Sequence, residues 1–191
     1  MCGRYGFYKD VSDEKIKAVM AMLEKRYPHL PCKTGEIFPG DTAPGIISEG
    51  GKILPVPAVF GFPGFRGKDL IINARSETAA DKPTFADSLR ERRIVLPACG
   101  FYEWDRSKEK TKYYFTVDAR EIIYLCGVFK IVDGRCRFVI LTRPANDSMS
   151  ETHDRMPVIV DDTAVRPYLT DREAAMEIIA AAAPALTRQP A

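Results

Sequence analysis

A two-residue turn signal, Asp133-Gly134, stands between two long runs of apolar residues. Residues 122–132 and 136–142 flank this pair and are rich in β-branched and aromatic side chains. An Asp-Gly pair between two such runs is typical of the tight turn of a β-hairpin. The pattern predicts the antiparallel core of a sheet, and residues 113–118 are expected to be the preceding strand of the same meander.

Helical spacing of apolar residues is limited to a few segments, two of them near the ends of the chain. Ser12 is expected to cap a first helix whose apolar face includes Ile16 and Leu23 and which Pro28 ends. A further helix is expected from Asp171 onward, followed by a tail rich in Ala and Pro. Many short strands and few helices predict an α+β class dominated by β-structure.

The length of 191 residues predicts one domain, which we assign to residues 1–185, with residues 186–191 as a frayed C-terminal tail. Hydrophobic residues make up 46% and charged residues 28% of the chain, so a disordered or fibrous protein is excluded. The formal net charge is only +2, which excludes polybasic binding of nucleic acid. Any contact with nucleic acid must therefore be local.

The five cysteines include no Cys-x-x-Cys pair, and their number is odd. This pattern argues against a disulfide framework or a structural zinc site and favours reduced thiols in a cytosolic protein. Charged residues follow the N-terminus too soon for a signal peptide, and the apolar run at residues 178–183 is too short to span a bilayer. We expect a cytoplasmic location and no membrane partner.

Four short segments contain residues of types that take part in catalysis, and each segment alone has a purely structural explanation. A Met-Cys start is usually accidental, Asn73 at a strand end is normally a turn former, and a loop His153 beside Asp and Arg more often makes a hydrogen bond. Glu103 lies in an apolar run, where a carboxylate is costly unless it is paired. A catalytic role and a buried ion pair are equally compatible with that position.

Taken in order, the same segments resemble the SRAP family, the SOS-response-associated peptidase-like proteins, over nearly the whole chain. The resemblance rests on Cys2-Gly3-Arg4, the Asn-Ala-Arg-Ser-Glu-Thr segment at 73–78, Gly-Phe-Tyr-Glu-Trp at 100–104 and His-Asp-Arg-Met-Pro-Val-Ile at 153–159. It implies a single compact β-rich domain, with an antiparallel twisted or barrel-like core, flanking helices and an active-site cleft. The implied activity is covalent capture of abasic sites in single-stranded DNA during the SOS response to DNA damage, which implies a nucleoid-associated location when the protein is bound to damaged DNA.

The family pattern maps the attacking residue onto Cys2 and its active-site partners onto Asn73, Glu103 and His153. Three arginines match positions that the family uses around the DNA phosphates or the site: Arg4, Arg75 and Arg155. Three phenylalanines stand where many members have a tryptophan-containing segment, and they are expected to stack on a base, although at least one is expected to pack in the core: Phe60, Phe62 and Phe65. Cys99 is interpreted as a small buried residue rather than a second nucleophile.

The chemistry of an abasic site explains these residue types. The open-chain sugar carries an aldehyde, and an α-amine with a pKa of about 8 is partly neutral at pH 7 and forms a Schiff base with it. The thiol of the same N-terminal Cys2 then closes a five-membered thiazolidine in an intramolecular step. Asn73 is expected to orient the amine, Glu103 to move protons at the amine and imine, and His153 to act on the sugar hydroxyl.

Three functions therefore remain open at this stage. The first is the abasic-site crosslinker, with lyase activity as a further property of its Schiff base. The second is a cysteine peptidase that removes Met1, using Cys2, Glu103 and His153, and the third is a non-catalytic module that binds single-stranded DNA. The expected partner is single-stranded DNA containing abasic sites, the expected oligomeric state is a monomer, and no metal or organic cofactor is implied.

Overall fold

The computed structural model describes residues 2–8, 10, 12–64 and 69–191, and in these ranges strands predominate over helices. The strands, in chain order, are β1 (Arg4–Phe7), β2 (Gly35–Ile37), β3 (Thr42–Glu49), β4 (Lys52–Phe60), β5 (Phe62–Pro63), β6 (Leu70–Ile71), β7 (Asn73–Arg75), β8 (Arg93–Ala98), β9 (Gly100–Trp104), β10 (Lys112–Thr116), β11 (Ile123–Val132), β12 (Arg135–Pro144), β13 (Arg155–Pro157), β14 (Ile159–Val160) and β15 (Thr187–Pro190). The helices are α1 (Glu14–Arg26), α2 (Ala86–Glu91), α3 (Asp147–Ser150), α4 (Asp162–Thr170) and α5 (Arg172–Ala180). The predicted α+β class is confirmed.

The larger sheet closes on itself. Its strands follow the order β12-β4-β3-β8-β11, and β11 pairs back with β12, which completes a circuit of five strands. Helices α2 and α4 pack against β8 and β11 on this circuit, and every residue of β8 is buried. The barrel-like core with flanking helices is therefore present as predicted.

The Asp133-Gly134 turn connects β11 and β12 as predicted. Both turn residues have positive φ, 50° for Asp133 and 73° for Gly134, which is the conformation that a two-residue hairpin turn requires. Strand β12 also lies parallel to β4 and to β7, so the sheet is mixed rather than antiparallel throughout. Long connections separate β12 from β4 and β7 in sequence, and they leave the relative direction of these strands open.

The second sheet has five strands in the order β15-β10-β9-β1-β2. Strand β10 belongs here, paired with β9 and β15, so the predicted meander of residues 113–118 with β11 is wrong. The connection after β10 includes Ala119 with φ of 58°, and it leads the chain from one sheet to the other. Strands β8 and β9 are nearly continuous in sequence and also lie in different sheets, with the break at Cys99.

The predicted helix near the N-terminus is present, but its cap is Asp13 rather than Ser12. The Asp13 carboxylate accepts hydrogen bonds from the amides of Lys15 (2.8 Å) and Ile16 (3.3 Å). Ser12 instead donates its amide to the Glu121 carboxylate at 2.6 Å. A carboxylate and a hydroxyl are similar capping groups, so only the competing contact with Glu121 separates these two neighbours.

The C-terminal residues do not fray. Strand β15 is hydrogen-bonded to β10 along the edge of the five-stranded sheet, with Phe115 opposite Arg188, and Leu186 before it is buried. An Ala/Pro-rich composition suggested a loose tail, whereas the exposed edge of β10 provides the hydrogen-bond partners that order it. No helix in the described parts of the chain is long and apolar enough to cross a bilayer.

Candidate active site

The four predicted catalytic residues lie on elements that the two sheets bring together. Cys2 precedes β1, whose partner strand β9 carries Glu103. Asn73 begins β7, and His153 lies just before β13; both of these strands pair with β12. The site is therefore formed where β7 and β13 of the larger sheet meet the five-stranded sheet.

Cys2 is buried, with only 1% of its surface exposed. Its Sγ donates to the carbonyl oxygen of Arg4 at 3.7 Å, and its own carbonyl accepts from Asn73 Nδ2 at 3.1 Å. Burial, together with the nearby Glu103 carboxylate, raises the pKa of the Cys2 thiol well above its ordinary value. This thiol is therefore protonated at neutral pH and is not an activated thiolate.

Asn73 holds the start of the chain by its amide. While Nδ2 donates to Cys2, the buried Oδ1 accepts no hydrogen bond from any described atom. A buried amide oxygen without a donor is costly, and an N–H group adjacent to Cys2 would satisfy it. The geometry suits the orientation of an amine at residue 2.

Glu103 is a buried carboxylate, as its apolar neighbours indicated, with 6% exposure. Its charge acts on two of the other residues, since it raises the pKa of the Cys2 thiol and favours the protonated form of His153. A buried carboxylate that faces both a nucleophile and an imidazole is well placed to exchange protons.

His153 is held in one orientation by backbone contacts. Its amide donates to the Met149 carbonyl at 3.0 Å, and its Nδ1 accepts from the amide of Arg155 at 3.0 Å. The Asp154 carboxylate also lies 2.9 Å from Nδ1, so this nitrogen has both an amide and a carboxylate as neighbours. Burial is the main cause that lowers the pKa of His153, so the neutral ring predominates at pH 7.

The predicted phosphate-binding arginines differ in their availability. Arg75 is exposed at the end of β7. Arg155 donates to both carboxylate oxygens of Glu77 and to the Thr142 carbonyl (2.6 Å), and only 12% of its side chain is exposed. Those hydrogen bonds from Arg155 lower the pKa of Glu77 to about 2. Arg155 therefore positions the segment next to His153 in this structure, with its charge paired to Glu77, and its contact with a phosphate stays a prediction.

Two of the three phenylalanines predicted to stack on DNA are core residues. Phe60 is fully buried and lies parallel to Phe138, with ring centroids 4.9 Å apart. Phe62 is 3% exposed and packs against Phe85. Neither ring has a free face for a base, so the stacking prediction is wrong for both. Phe65 lies outside the described residues.

The predicted Arg4 belongs to a cationic and aromatic surface on the five-stranded sheet, and sequence reasoning missed the other members of this surface. Arg4 lies between Phe38 and Trp104, with its guanidinium carbon 4.3 Å and 4.8 Å from the ring centroids. Lys112 is opposite Trp104 in the β9–β10 register, and Glu36 contacts both cations, at 3.3 Å to Arg4 and 2.9 Å to Lys112. The Gly-Phe-Tyr-Glu-Trp segment was a signal for Trp104, but nothing local to Phe38 or Lys112 indicated their proximity.

The remaining cysteines offer no competing site. None of the five cysteines, all of which lie in the described ranges, forms a disulfide, and burial raises the pKa of the half-buried Cys99 thiol. In the described ranges, no group of three or more His, Cys, Asp or Glu side chains could hold a metal ion.

Comparison with known proteins identifies a family and a fold. The family model described as SOS response associated peptidase (SRAP) matches residues 1–189. The chain is similar to the abasic site processing protein YobE of Bacillus subtilis, with 33% identity over 53% of this chain and 50% of that protein, so it spans half of YobE. It is also similar to the abasic site processing protein YedK of Escherichia coli, with 30% identity over 88% of this chain and 79% of that protein. A crystal structure of a Bordetella bronchiseptica protein, 22% identical, has the same fold, with a TM-score of 0.76 over 100% of this chain and 99% of that one.

Proposed function

The chain belongs to the SRAP family, and from this premise we propose that it processes abasic sites in DNA by capturing the sugar aldehyde at Cys2. One observation carries the proposal: Cys2, Asn73, Glu103 and His153, which are far apart in sequence, meet where the two sheets join. The hydrogen bond from Asn73 Nδ2 to the Cys2 carbonyl fixes residue 2 in this group. The names of the relatives supply the substrate class, abasic sites.

The reaction needs the free α-amine of Cys2, so Met1 must be removed first. The amine nitrogen then adds to the aldehyde carbon, and loss of water gives an imine. The thiol sulfur adds to the imine carbon, its proton goes to the imine nitrogen, and a thiazolidine closes. The overall change consumes an aldehyde, an amine and a thiol and releases one water.

The protonation states of the site support this order of steps. A thiol whose pKa is raised by burial is a poor first nucleophile, whereas it can donate its proton as it adds to an imine. The buried Glu103 carboxylate accepts a proton from the amine and returns one when water leaves. A neutral His153 accepts the proton of the sugar hydroxyl at one ring nitrogen and then gives this proton to the ring oxygen as the closed sugar opens.

The same observations argue against a cysteine peptidase. Such an enzyme needs a thiolate beside an imidazolium, and here burial disfavours the charged form of both Cys2 and His153. Lyase cleavage remains part of the proposal, because an imine that the thiol does not trap permits β-elimination of the adjacent phosphate. Single-stranded DNA is the proposed substrate form, since a sugar held in a duplex cannot reach a buried Cys2.

The decisive experiment mixes the protein with single-stranded DNA that carries one abasic site and separates the products on a denaturing gel. We expect a covalent band from the wild type and none from Cys2→Ala. Cys99→Ala is the matched control, because it removes a half-buried thiol next to the strand that carries Glu103 and should crosslink normally. A wild-type protein that binds this DNA on a native gel but gives no covalent band would overturn the proposal and leave a binding module.

A further inference from the structure

The C-terminal segment runs along the loop that carries His153. Asn146 Nδ2 donates to the Pro184 carbonyl at 2.9 Å, and the Leu186 amide donates to Ser148 Oγ at 3.0 Å. Arg188 then donates to Thr152 Oγ1 at 3.0 Å, one residue before His153. These hydrogen bonds occur in the same order along both stretches of chain, so they connect the C-terminal segment to the loop along its length.

Beyond Leu186, the same segment becomes β15 and joins the sheet that carries Glu103. In the register of the sheet, Pro190 lies opposite Tyr113, and Tyr113 lies opposite Glu103. Residues directly opposite each other in antiparallel strands lie on the same face of the sheet, so Pro190, Tyr113 and Glu103 share one face. Arg188 lies on this face too, because it is two residues from Pro190 in the same strand. The guanidinium carbon of Arg188 lies 5.0 Å from the centroid of the Tyr113 ring. Arg188 therefore extends from the face that bears Glu103 to the loop that bears His153.

Thr152, the acceptor at the end of this connection, is fully buried. A second direct connection between the sheets near His153, the Arg106–Asp154 ion pair (2.7 Å), has both side chains more than 60% exposed (61% and 64%). An exposed ion pair fixes the relative position of its two residues only weakly, because water competes for both partners. Arg188 is itself 39% exposed and also pairs with the exposed Glu151 at 3.1 Å, so the part of this connection that is protected from solvent is the Thr152 acceptor.

We propose that the C-terminal strand is a strap that positions His153 relative to Glu103, with Arg188 as the positioning residue. The proposal rests on the function proposed above, in which these two side chains act on one substrate. Glu103 lies in the five-stranded sheet and His153 lies just before β13 of the larger sheet, so their separation depends on how the two sheets are held together. Displacement of a catalytic group by about 1 Å is enough to reduce a rate roughly a hundredfold.

The test compares variants that break the Arg188–Thr152 contact from each side. Arg188→Ala removes the donor, Arg188→Lys keeps the charge but not the planar fork, and Thr152→Val removes the acceptor without changing any charge. Arg120→Ala is the matched control, since Arg120 forms an exposed ion pair with Asp161 (3.4 Å) outside this segment. Urea denaturation of each variant excludes general loss of folding.

Two readouts are needed. The first is the rate of crosslink formation, which we expect to fall about tenfold to a hundredfold in Arg188→Ala and Thr152→Val and to stay unchanged in Arg120→Ala. The second is the pKa of His153, measured by NMR titration. Among the described residues, the charges that act on this ring are those of Glu103, Asp154 and Arg106. Burial lowers the pKa of His153, so release of the loop should raise it.

The charge-neutral variant decides the interpretation. A rise in the His153 pKa in Thr152→Val as well as in Arg188→Ala supports positioning, and the double variant should then be no slower than either single variant. An unchanged rate and an unchanged titration in both would overturn the strap. If the wild type fails to crosslink, the proposed function is wrong, while the titration of His153 still tests the strap.

Discussion

Replacing Glu77 with Gln tests the Glu77–Arg155 pair next to the site. In the wild type, Arg155 donates to both carboxylate oxygens of Glu77 and to the Thr142 carbonyl, which fixes the strand that follows His153. Glutamine keeps one acceptor oxygen and nearly the same shape but removes the charge. The variant therefore measures the charge-assisted part of this contact.

The size and pH dependence of the effect follow from the pKa of Glu77. The hydrogen bonds from Arg155 lower it from an ordinary 4.5 to about 2, which sets an upper limit of about 3 kcal/mol on the stabilisation. Because 43% of the Glu77 side chain is exposed, solvent screening reduces the expected contribution to about 1 kcal/mol. A lowered carboxyl pKa stabilises the folded state above pH 4.5, and the contribution is lost as the pH falls toward 2.

Urea denaturation at pH 7 and at pH 3 measures this contribution as the difference between wild type and Glu77→Gln. We expect the wild type to be more stable by about 1 kcal/mol at pH 7, and the difference to shrink at pH 3. Glu14→Gln, which removes an exposed helical pair with Lys17, is the control and should lower the free energy of unfolding at pH 7 by less than Glu77→Gln does, because an exposed pair is weak. A difference that stays constant between the two pH values would refute the reasoning.

Four further predictions concern the site and the core. His153→Ala should slow crosslink formation by about 10²- to 10⁴-fold in a gel time course, while the Kd for intact single-stranded DNA stays unchanged. Arg75→Ala should reduce the slope of log affinity against log salt by about 0.7, measured by fluorescence anisotropy, because one exposed phosphate contact is lost. Phe60→Ala should lower the free energy of unfolding by about 3–5 kcal/mol in urea, as expected for a core ring, without changing the DNA affinity of the folded protein. Mass spectrometry of the digested adduct should identify DNA on a peptide that begins at Cys2, and a stable adduct on chains that retain Met1 would contradict the amine mechanism.

Local sequence was sufficient wherever the structure depends on neighbouring residues. The Asp133-Gly134 turn was predictable because an Asp-Gly pair adopts the positive φ values that the turn requires. The helix at Asp171 was predictable because its carboxylate caps the amides of Glu173 and Ala174. The chemical candidates Cys2 and Glu103 were found in the same way, one by its place at the start of the chain and the other by its apolar neighbours.

The partners of each strand and the environment of each side chain were decided only by the tertiary structure. The sequence of β10 is compatible with a strand in either sheet. Its pairing with β9 and β15 rather than with β11 depends on tertiary contacts, which the local sequence of β10 does not specify. Phe60 reads equally well as a base-stacking ring or a core ring until Phe138 covers it. Arg155 is paired with a carboxylate because Glu77 reaches it from the turn after β7. By itself, the sequence determined the hairpin turn, the helix cap at Asp171 and the reactive groups, which depend on a few neighbouring residues. Pairing, burial and the strap at Arg188 depend on contacts between segments far apart in the chain.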